Sequence, residues 1–355
     1  MKKFAFLIHL RDSYRKDLSI FARPFGFIPE SVYRLFLEGR SLKPFVWSEV
    51  RVRPGATEAE GYIIMVPLLA QQLLQQQRVV LPHLEQALSL AASKGAEIVG
   101  LGALTSPISL GGRLLMDHPR VNITNGNAYT AVIVYERVAE RLSEVMPARP
   151  KVAVVGATGS VGTLTSALLV KHHPEVDLLL VARNERKLEQ LRYELMQLSP
   201  RGKIVSSTDM QAIRRADIVV LLTSAAECVL QAGHLKQGAF VLDGTQPRNA
   251  HPSLLRARLD VTIVDGGLVS VPSLRFTRSI ALPPGVSYAC LAETMLLALA
   301  GHSGHFSIGH PTLEHAEYIS ALAHRFRYLG FSTAPDYCFG RPLPSHQRPA
   351  PSIEV

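Results

Sequence analysis

The pattern of apolar and polar positions is clearest between residues 151 and 267, where short, continuously apolar runs take turns along the chain with amphipathic helical stretches. Runs of this type that lack strict polar alternation are typical of parallel strands buried on both faces. The pattern predicts an α/β fold with a doubly wound parallel sheet. The predicted strands are Lys151–Ala157, Val176–Ala182, Lys203–Ser206, Asp217–Thr223, Ala239–Asp243 and Val261–Asp265, and the predicted helices are Gly159–Lys171 and Glu185–Leu198.

The flanking regions have a more mixed pattern. Before this sheet, the sequence predicts a first strand at Phe4–Ile8, a Gln-rich helical segment at Leu68–Lys94, and a helix at Asn127–Met146 that Pro147 and Pro150 terminate. After the sheet, a helix is predicted at Tyr288–Ala300. Four prolines in the last sixteen residues predict disorder there. The predicted division is therefore an N-terminal α/β domain at 1–149, a nucleotide-binding domain at 150–268, a C-terminal segment at 269–339 and a disordered tail at 340–355.

A glycine-rich loop joins the first strand of the predicted sheet to its first helix. Gly156, Gly159 and Gly162 are spaced G-x-x-G-x-x-G: the first permits a tight turn, the second lets the backbone approach a pyrophosphate, and the third lets the helix pack on the strand. The helix N-terminus supplies N–H groups to the phosphates. A glycine turn without a ligand is the alternative, which the strand–turn–helix context disfavours.

The residues after the second strand predict which dinucleotide binds. An acidic residue there would accept the ribose 2′-OH of NAD, but this strand is followed by Arg183 and Asn184, with Lys187 close behind. Positive charge suits a 2′-phosphate, so we predict NADPH. Alternatively, these cations are merely solvated surface charges. The predicted cofactor contacts are Gly156, Thr158, Gly159, Ser160, Val161, Gly162, Arg183, Asn184, Lys187 and Thr223.

One of the three cysteines lies where chemistry is plausible. Cys290 falls in the first turn of the predicted helix, with Ser287 as a candidate cap; N–H groups and the helix dipole there are expected to lower the thiol pKa. A thiolate at this position could attack an acyl carbonyl. The alternative is a small buried core cysteine. Cys228 and Cys338 are interpreted as incidental.

Composition and charge narrow the class of protein. The chain has 355 residues and a net charge of +9, and residues 1–53 hold eleven Lys/Arg against five Asp/Glu. This excess favours an acidic partner: nucleic acid, an anionic membrane, an acidic protein or a phosphorylated cofactor. No nucleic-acid recognition motif supports the first. Few cysteines and the lack of a spanning apolar run predict a cytoplasmic protein without disulfides or a transmembrane segment, and the histidines near His302 match no zinc pattern, so no metal is predicted.

Several of these stretches together resemble the long-chain acyl-(acyl-carrier-protein) reductases of the cyanobacterial alkane pathway. The resemblance runs from about Phe4 to Thr333. The matching stretches are Leu7–Leu10, Gly126–Ala131, Val152–Gly159, Ala182–Asn184, Ala289–Cys290, Ala292–Glu293 and Gly301–Gly309. Ile8, where the family pattern has glycine, and Val269–Gly285 depart from it.

The resemblance implies NADPH-dependent reduction of a fatty acyl thioester to a fatty aldehyde through an acyl-enzyme at Cys290. It implies that the N-terminal domain binds the acyl chain, that an acidic acyl carrier protein delivers it, and that an aldehyde-consuming enzyme is a further partner; peripheral contact with a membrane is compatible with it. His9 is a candidate proton donor or a core histidine with both nitrogens bonded. Two other functions stay open: an NADP-dependent dehydrogenase of a small keto or hydroxy acid, and a non-catalytic NADP-binding sensor.

Overall fold

The computed structural model describes residues 1–10, 13–37, 42–75, 77–144, 149–198, 200–225, 228–246 and 248–343. The chain forms two compact units. Of the described residues, the first comprises those within Met1–Tyr129 and Val269–Ser332, and the second comprises those within Thr130–Leu268 and from Thr333 to Leu343. This division differs from the predicted one, because most of the C-terminal segment folds with the N-terminal region.

Strands and helices are interspersed along most of the chain. Up to residue 143 they are β1 Lys3–Leu10, α1 Tyr14–Phe21, α2 Glu30–Leu37, β2 Phe45–Arg51, β3 Gly61–Leu69, α3 Ala70–Gln75, α4 Gln77–Ser93, β4 Ala96–Leu101, α5 Thr105–Ile108, β5 Asn122–Thr124 and α6 Asn127–Ser143. From 151 to 265 they are β6 Lys151–Val155, α7 Ser160–His172, β7 Asp177–Val181, α8 Glu185–Met196, β8 Ile204–Ser207, β9 Ile218–Leu221, β10 Phe240–Asp243, α9 Leu254–Ala257 and β11 Thr262–Asp265.

The remaining elements are β12 Leu268–Ser270, β13 Arg275–Phe276, β14 Val286–Tyr288, α10 Ala289–Ala300, α11 Leu313–Arg325, β15 Ser332–Thr333, β16 Tyr337–Cys338 and β17 Arg341–Pro342. Short 3₁₀ turns occur at Arg23–Phe27, Arg113–Leu115, Met210–Arg215, Ala232–His234 and Arg327–Leu329. The strand at 341–342 corrects the prediction that the tail is disordered from 340; residues 344–355 lie outside the described residues.

The first unit is built on a mixed sheet of order β13-β2-β3-β1-β4-β5. β1 pairs in parallel with β3 and β4, and β4 pairs in parallel with β5. β2 pairs antiparallel with β3, and the short β13 pairs antiparallel with β2. The central strand β1 is fully buried from Phe4 to Leu7, as its apolar run predicts. Helix α4 packs on one face of this sheet through an aliphatic cluster.

Helix α10, which carries Cys290, packs against β1 and β4 of this same sheet. The backbone N–H of Lys2 donates to the carbonyl of Ala298 at 3.0 Å, which ties the start of β1 to the helix. Nine of its twelve residues are buried. The helix therefore belongs to the core of the first unit, which is the physical reason that a separate segment at 269–339 does not form.

The second unit contains a six-stranded, all-parallel sheet of order β11-β10-β9-β6-β7-β8. Numbering its strands from β6 gives the order 3-2-1-4-5-6, which is that of dinucleotide-binding domains. In five of the six strands, successive apolar residues alternate between two apolar clusters, one on each face of the sheet. The edge strand β8 contributes Ile204 to one cluster, while its Val205 is exposed. The predicted fold class is therefore confirmed, with strand bounds in this unit that differ from the predicted ones by at most two residues. Among the described residues, no helix has the length and apolar character that crossing a membrane requires.

Candidate functional site

The glycine loop follows β6 and is hydrogen-bonded to the end of the neighbouring strand β7. The N–H groups of Gly156 and Ala157 both donate to the carbonyl of Val181, at 2.8 and 3.2 Å. Gly156 has φ +85°, and a Cβ there would lie 2.6 Å from the carbonyl carbon of Leu222. Any larger residue would thus separate the carboxyl ends of β6 and β9. This gap between β6 and β9 is the place where a parallel sheet of this order binds its ligand.

Helix α7 starts at Ser160 without a side-chain cap, its N-cap being Gly159. A Cβ on Gly162 would lie 2.3 Å from the carbonyl oxygen of Gly156, so the helix meets the loop at backbone distance. A helix N-terminus that no side chain caps presents N–H groups and partial positive charge to an anion. The loop therefore fits the pyrophosphate of a dinucleotide.

The other predicted cofactor residues lie at the same edge of the sheet. Because Val155 pairs with Val181, Arg183 follows the strand next to the glycine loop, and Thr223 lies beside Gly156. Asn184 caps α8 by accepting the N–H of Lys187 at 3.0 Å, while Arg183 and Lys187 are exposed. The structure thus brings the predicted residues together, and Asn184 has in addition a structural role that its position at a helix start could have indicated.

Cys290 is the second residue of α10, within the predicted first turn. The N-cap is Tyr288, and no side chain caps the helix. Ser287 Oγ instead donates to the Tyr288 carbonyl at 3.0 Å. The prediction that Ser287 caps the helix is therefore wrong, because β14 extends to Tyr288 and delays the helix start by one residue.

A second chain segment, the start of α6, lies directly against the cysteine. Gly126 has φ +76°, and a Cβ there would lie 2.2 Å from the Cβ of Cys290. Only glycine permits both this conformation and this approach. The two stretches singled out by the sequence, Gly126–Ala131 and Ala289–Cys290, therefore meet in the structure.

Glu293, one helical turn after Cys290, holds this arrangement together. Its carboxylate is fully buried and accepts the hydroxyl of Thr124, the N–H of Gly126 at 3.1 Å and the N–H of Tyr129 at 2.8 Å. A buried anion at a helix N-terminus is stabilised by such donors. Sequence reasoning assigned Glu293 no role, although it is the one charged residue in an apolar helix, and a charge there needs partners.

Ser307, which lies in the stretch after α10, adds a further polar group beside Glu293. Ser307 Oγ lies 2.9 Å from Glu293 Oε1 and 2.7 Å from Asn125 Oδ1. The Asn125 amide also donates to the Gly309 carbonyl at 3.0 Å. These hydrogen bonds join the Gly301–Gly309 stretch to the loop before α6. The family resemblance includes this stretch but assigns no role to it.

Burial dominates the electrostatics of Cys290. Desolvation raises the pKa of its thiol, the N–H groups of Leu291 and Cys290 itself lower it, and the nearby Glu293 carboxylate raises it, which together place the pKa at about 12. The predicted lowering of this pKa is therefore wrong: the N–H donors exist, but desolvation outweighs them. Burial likewise raises the pKa of Glu293, against the hydrogen bonds that lower it.

His9 is held by backbone groups on both sides of its ring. Its Nδ1 lies 2.7 Å from the Leu10 carbonyl oxygen, and Nε2 accepts the N–H of Leu104 at 3.3 Å. This network assigns the proton to Nδ1. Of the two roles left open by the sequence, these contacts favour the structural one, in which His9 ties the end of β1 to the turn after β4.

Comparison with known proteins gives two kinds of match. The family described as semialdehyde dehydrogenase, NAD binding domain, matches residues 151–262. The long-chain acyl-(acyl-carrier-protein) reductase of Synechococcus elongatus is 30% identical over 267 residues, covering 69% of this chain and 75% of the reductase. The aminotransferase PigE of Serratia is 27% identical over 343 residues, which are 94% of this chain and 40% of PigE.

Among solved structures, the nucleotide-binding domain of glutamyl-tRNA reductase from Thermoplasma volcanium matches with a TM-score of 0.27 and 16% identity, covering 38% of this chain and 84% of that domain. The chain spans less than half the length of PigE. The sequence matches support an oxidoreductase with a nicotinamide cofactor.

The buried carboxylate yields a prediction about stability. Glu293→Ala would leave three buried donors without their acceptor, at about 1–3 kcal/mol each, so we expect it to lower the free energy of unfolding of the first unit by at least about 3 kcal/mol. Glu293→Gln keeps one oxygen and is expected to have a smaller effect. Urea unfolding followed by circular dichroism measures both. The matched control is Glu97→Gln, an exposed glutamate paired with Lys2; equal effects of the two glutamine variants would contradict the assigned role.

The raised pKa yields a prediction about thiol reactivity. With a pKa of about 12, roughly one Cys290 thiol in ten thousand is ionised at pH 8, so alkylation by iodoacetamide should be slow and its rate should rise with pH without levelling off below about pH 10. Peptide mass mapping separates Cys290 from the exposed Cys228, which should react first. A Cys290 rate that reaches a plateau near neutral pH would show that the helix N-terminus outweighs burial.

Proposed function

The chain belongs to the long-chain acyl-(acyl-carrier-protein) reductase family, and on that premise we propose that it reduces a fatty acyl thioester to a fatty aldehyde with NADPH. The observation that carries the proposal is the position of Cys290, second in an uncapped helix with the Gly126 backbone packed against its Cβ. The first-turn N–H groups of Cys290 and Leu291 lower the pKa of its thiol, although burial outweighs them. A sulfur held in this way suits a covalent intermediate.

The cysteine works as the acyl acceptor. Its Sγ attacks the carbonyl carbon of the substrate thioester, a new S–C bond forms, and the bond from that carbon to the carrier sulfur breaks. The proton of Cys290 leaves with the carrier thiol, so charge balances over the step. The N–H groups of Cys290 and Leu291 stabilise the sulfur as its S–H bond ionises.

Burial has a second effect on this intermediate. A thioester in a desolvated position is protected from hydrolysis, which would release a fatty acid rather than an aldehyde. Because the resting thiol is protonated, the attack depends on the donors beside Sγ and on the substrate itself rather than on a standing thiolate. Glu293 acts as a positioning residue, since its oxygens are occupied by Thr124, Gly126 and Tyr129.

The second unit binds the cofactor through its own residues. Gly156 and Gly162 let the backbone close around the pyrophosphate, and the N-terminus of α7 supplies N–H groups and positive dipole. Arg183, exposed beyond β7 and without a carboxylate at the strand end, pairs with the 2′-phosphate. When bound, the reduced nicotinamide would supply a hydride to the acyl carbon. The bond from that carbon to Cys290 Sγ breaks, the sulfur takes up a proton, and the aldehyde is released.

An acidic acyl carrier protein is the proposed donor of the acyl chain. The support is the concentration of eleven Lys/Arg against five Asp/Glu in residues 1–53 of the first unit, which contains Cys290. Complementary charge of this kind raises the rate of encounter.

The acyl-enzyme yields the central prediction. Incubation with acyl carrier substrate without NADPH should add one acyl group to the protein, seen by intact mass and mapped to Cys290. Cys290→Ala should lose the adduct and reduce aldehyde formation by about a thousandfold or more. Cys228→Ala, the matched control, should retain both.

The same assay run with acyl-coenzyme A reports the preferred carrier. A folded Cys290→Ala protein that makes aldehyde at the native rate would overturn the covalent mechanism and favour direct reduction of the substrate.

Arg183 yields a prediction about the cofactor. Arg183→Ala removes a charge-assisted contact and should raise KM for NADPH by about 10- to 100-fold while leaving KM for NADH nearly unchanged. Arg192→Ala, which removes an arginine that pairs with Glu189 on the helix that follows, should change neither. An equal rise for both cofactors would contradict recognition of the 2′-phosphate, and a native preference for NADH would contradict the choice of NADPH.

A further inference from the structure

Helices α1 and α2, joined by the 3₁₀ turn Arg23–Phe27, form a helical hairpin on the first unit, which we call the 13–37 segment. Its inner side is well anchored. Tyr14 and Tyr33 are buried with ring centroids 6.1 Å apart, and the Tyr14 hydroxyl donates to Gln72 at 3.1 Å. The Glu30 carboxylate accepts the N–H groups of Tyr14 and Arg15 at the start of α1. The hairpin is thus a fixed part of the fold.

The solvent-facing side of the 13–37 segment carries several large, exposed apolar side chains. Val32, Leu35 and Phe36 have the i, i+3, i+4 spacing that places them on one face of α2, and all three are exposed. Phe27 in the turn is 85% exposed and Leu35 is 79% exposed. Ile20 of α1 adds a further exposed aliphatic side chain. Large apolar side chains clustered in this way mark a binding surface.

The charges around this face have one sign. Within residues 13–37, the exposed ionisable side chains are four cations: Arg15, Lys16, Arg23 and Arg34. The two carboxylates of the segment are not exposed, since Asp17 is buried and Glu30 is half-buried and bonded to backbone N–H groups.

We propose that the 13–37 segment docks this protein on the surface of an anionic phospholipid bilayer. Phe27, Leu35 and Phe36 would enter the boundary between headgroups and acyl chains, and the four cations would pair with lipid phosphates. An amphipathic helix that binds at a bilayer interface needs both features, with protruding apolar side chains that enter the bilayer and flanking cations that meet its phosphates. The combination therefore favours a bilayer over an acidic protein.

The test is co-sedimentation of the full chain with vesicles of phosphatidylcholine, with and without phosphatidylglycerol. We expect sedimentation with the anionic vesicles only, weakened by salt. Phe27→Ser/Leu35→Ser should reduce binding by about tenfold or more, since each side chain would bury several methylene groups. The matched control is Leu259→Ser/Tyr328→Ser, which removes two side chains of similar exposure (89% and 73%) elsewhere on the surface.

The remaining outcomes overturn the proposal in distinguishable ways. Absence of sedimentation, or equal binding by both double variants, shows that this surface does not bind lipid. A raised KM for acyl carrier protein in the Phe27→Ser/Leu35→Ser variant without vesicles identifies the segment as a protein-docking face. Conversion of a dimer to a monomer in sedimentation velocity identifies a second copy of the chain as the occupant. Vesicle binding is measured without turnover, so its failure leaves the proposed reaction untouched, and the reverse also holds.

Discussion

The structure around Cys290 depends on one buried carboxylate. Glu293 lies on the same helix as the cysteine, yet its acceptors are used by Thr124, Gly126 and Tyr129, which belong to the end of β5 and the start of α6. A fully buried anion is tolerated only where such donors replace its hydration. The carboxylate therefore fixes the distance between α10 and the loop before α6, and this distance is what forces glycine at position 126. Two segments more than 160 residues apart, 124–129 and α10, are held by a single side chain, and the cysteine lies at their junction.

Burial also decides the protonation state of the Cys290 thiol. A helix N-terminus stabilises a thiolate by an amount that falls off within the first turn, whereas desolvation acts on the whole charge of the sulfur. At Cys290 desolvation is the larger effect, and the Glu293 carboxylate adds repulsion of the same sign. Helix position by itself is therefore a poor guide to cysteine reactivity, because the depth of the helix in the core has to be known as well. Cys338 shows the same rule, since burial raises its pKa to about 11 without any helix.

The parts of the molecule that the sequence predicts are those determined by interactions between residues close together in the chain. The alternation of apolar strands with amphipathic helices, and the glycines at 156 and 162, were readable because a parallel sheet and a phosphate loop impose steric rules on neighbouring residues. The position of Cys290 in the first helical turn followed in the same way. The role of Glu293, the place of α10 in the first unit and the raised thiol pKa could not be predicted, because each depends on contacts across more than 160 residues, such as that between Glu293 and Tyr129. A lone charge in an apolar helix was the available signal, and it indicates that a partner exists without saying which.

A largely desolvated nucleophile and an apolar docking surface are related requirements if the substrate is a long acyl chain. Desolvation suppresses the thiolate at rest, which slows side reactions of the sulfur, and it also keeps water from the thioester once the acyl group is attached. An aldehyde with a long hydrocarbon chain has little affinity for water, so its release is favoured where an apolar phase is near. The exposed face of α2 with its surrounding cations provides contact with such a phase. The buried carboxylate at Glu293 and the exposed apolar side chains at Phe27 and Leu35 are both departures from ordinary burial. Under the proposed function, each has a physical reason in the handling of an apolar, hydrolysable substrate.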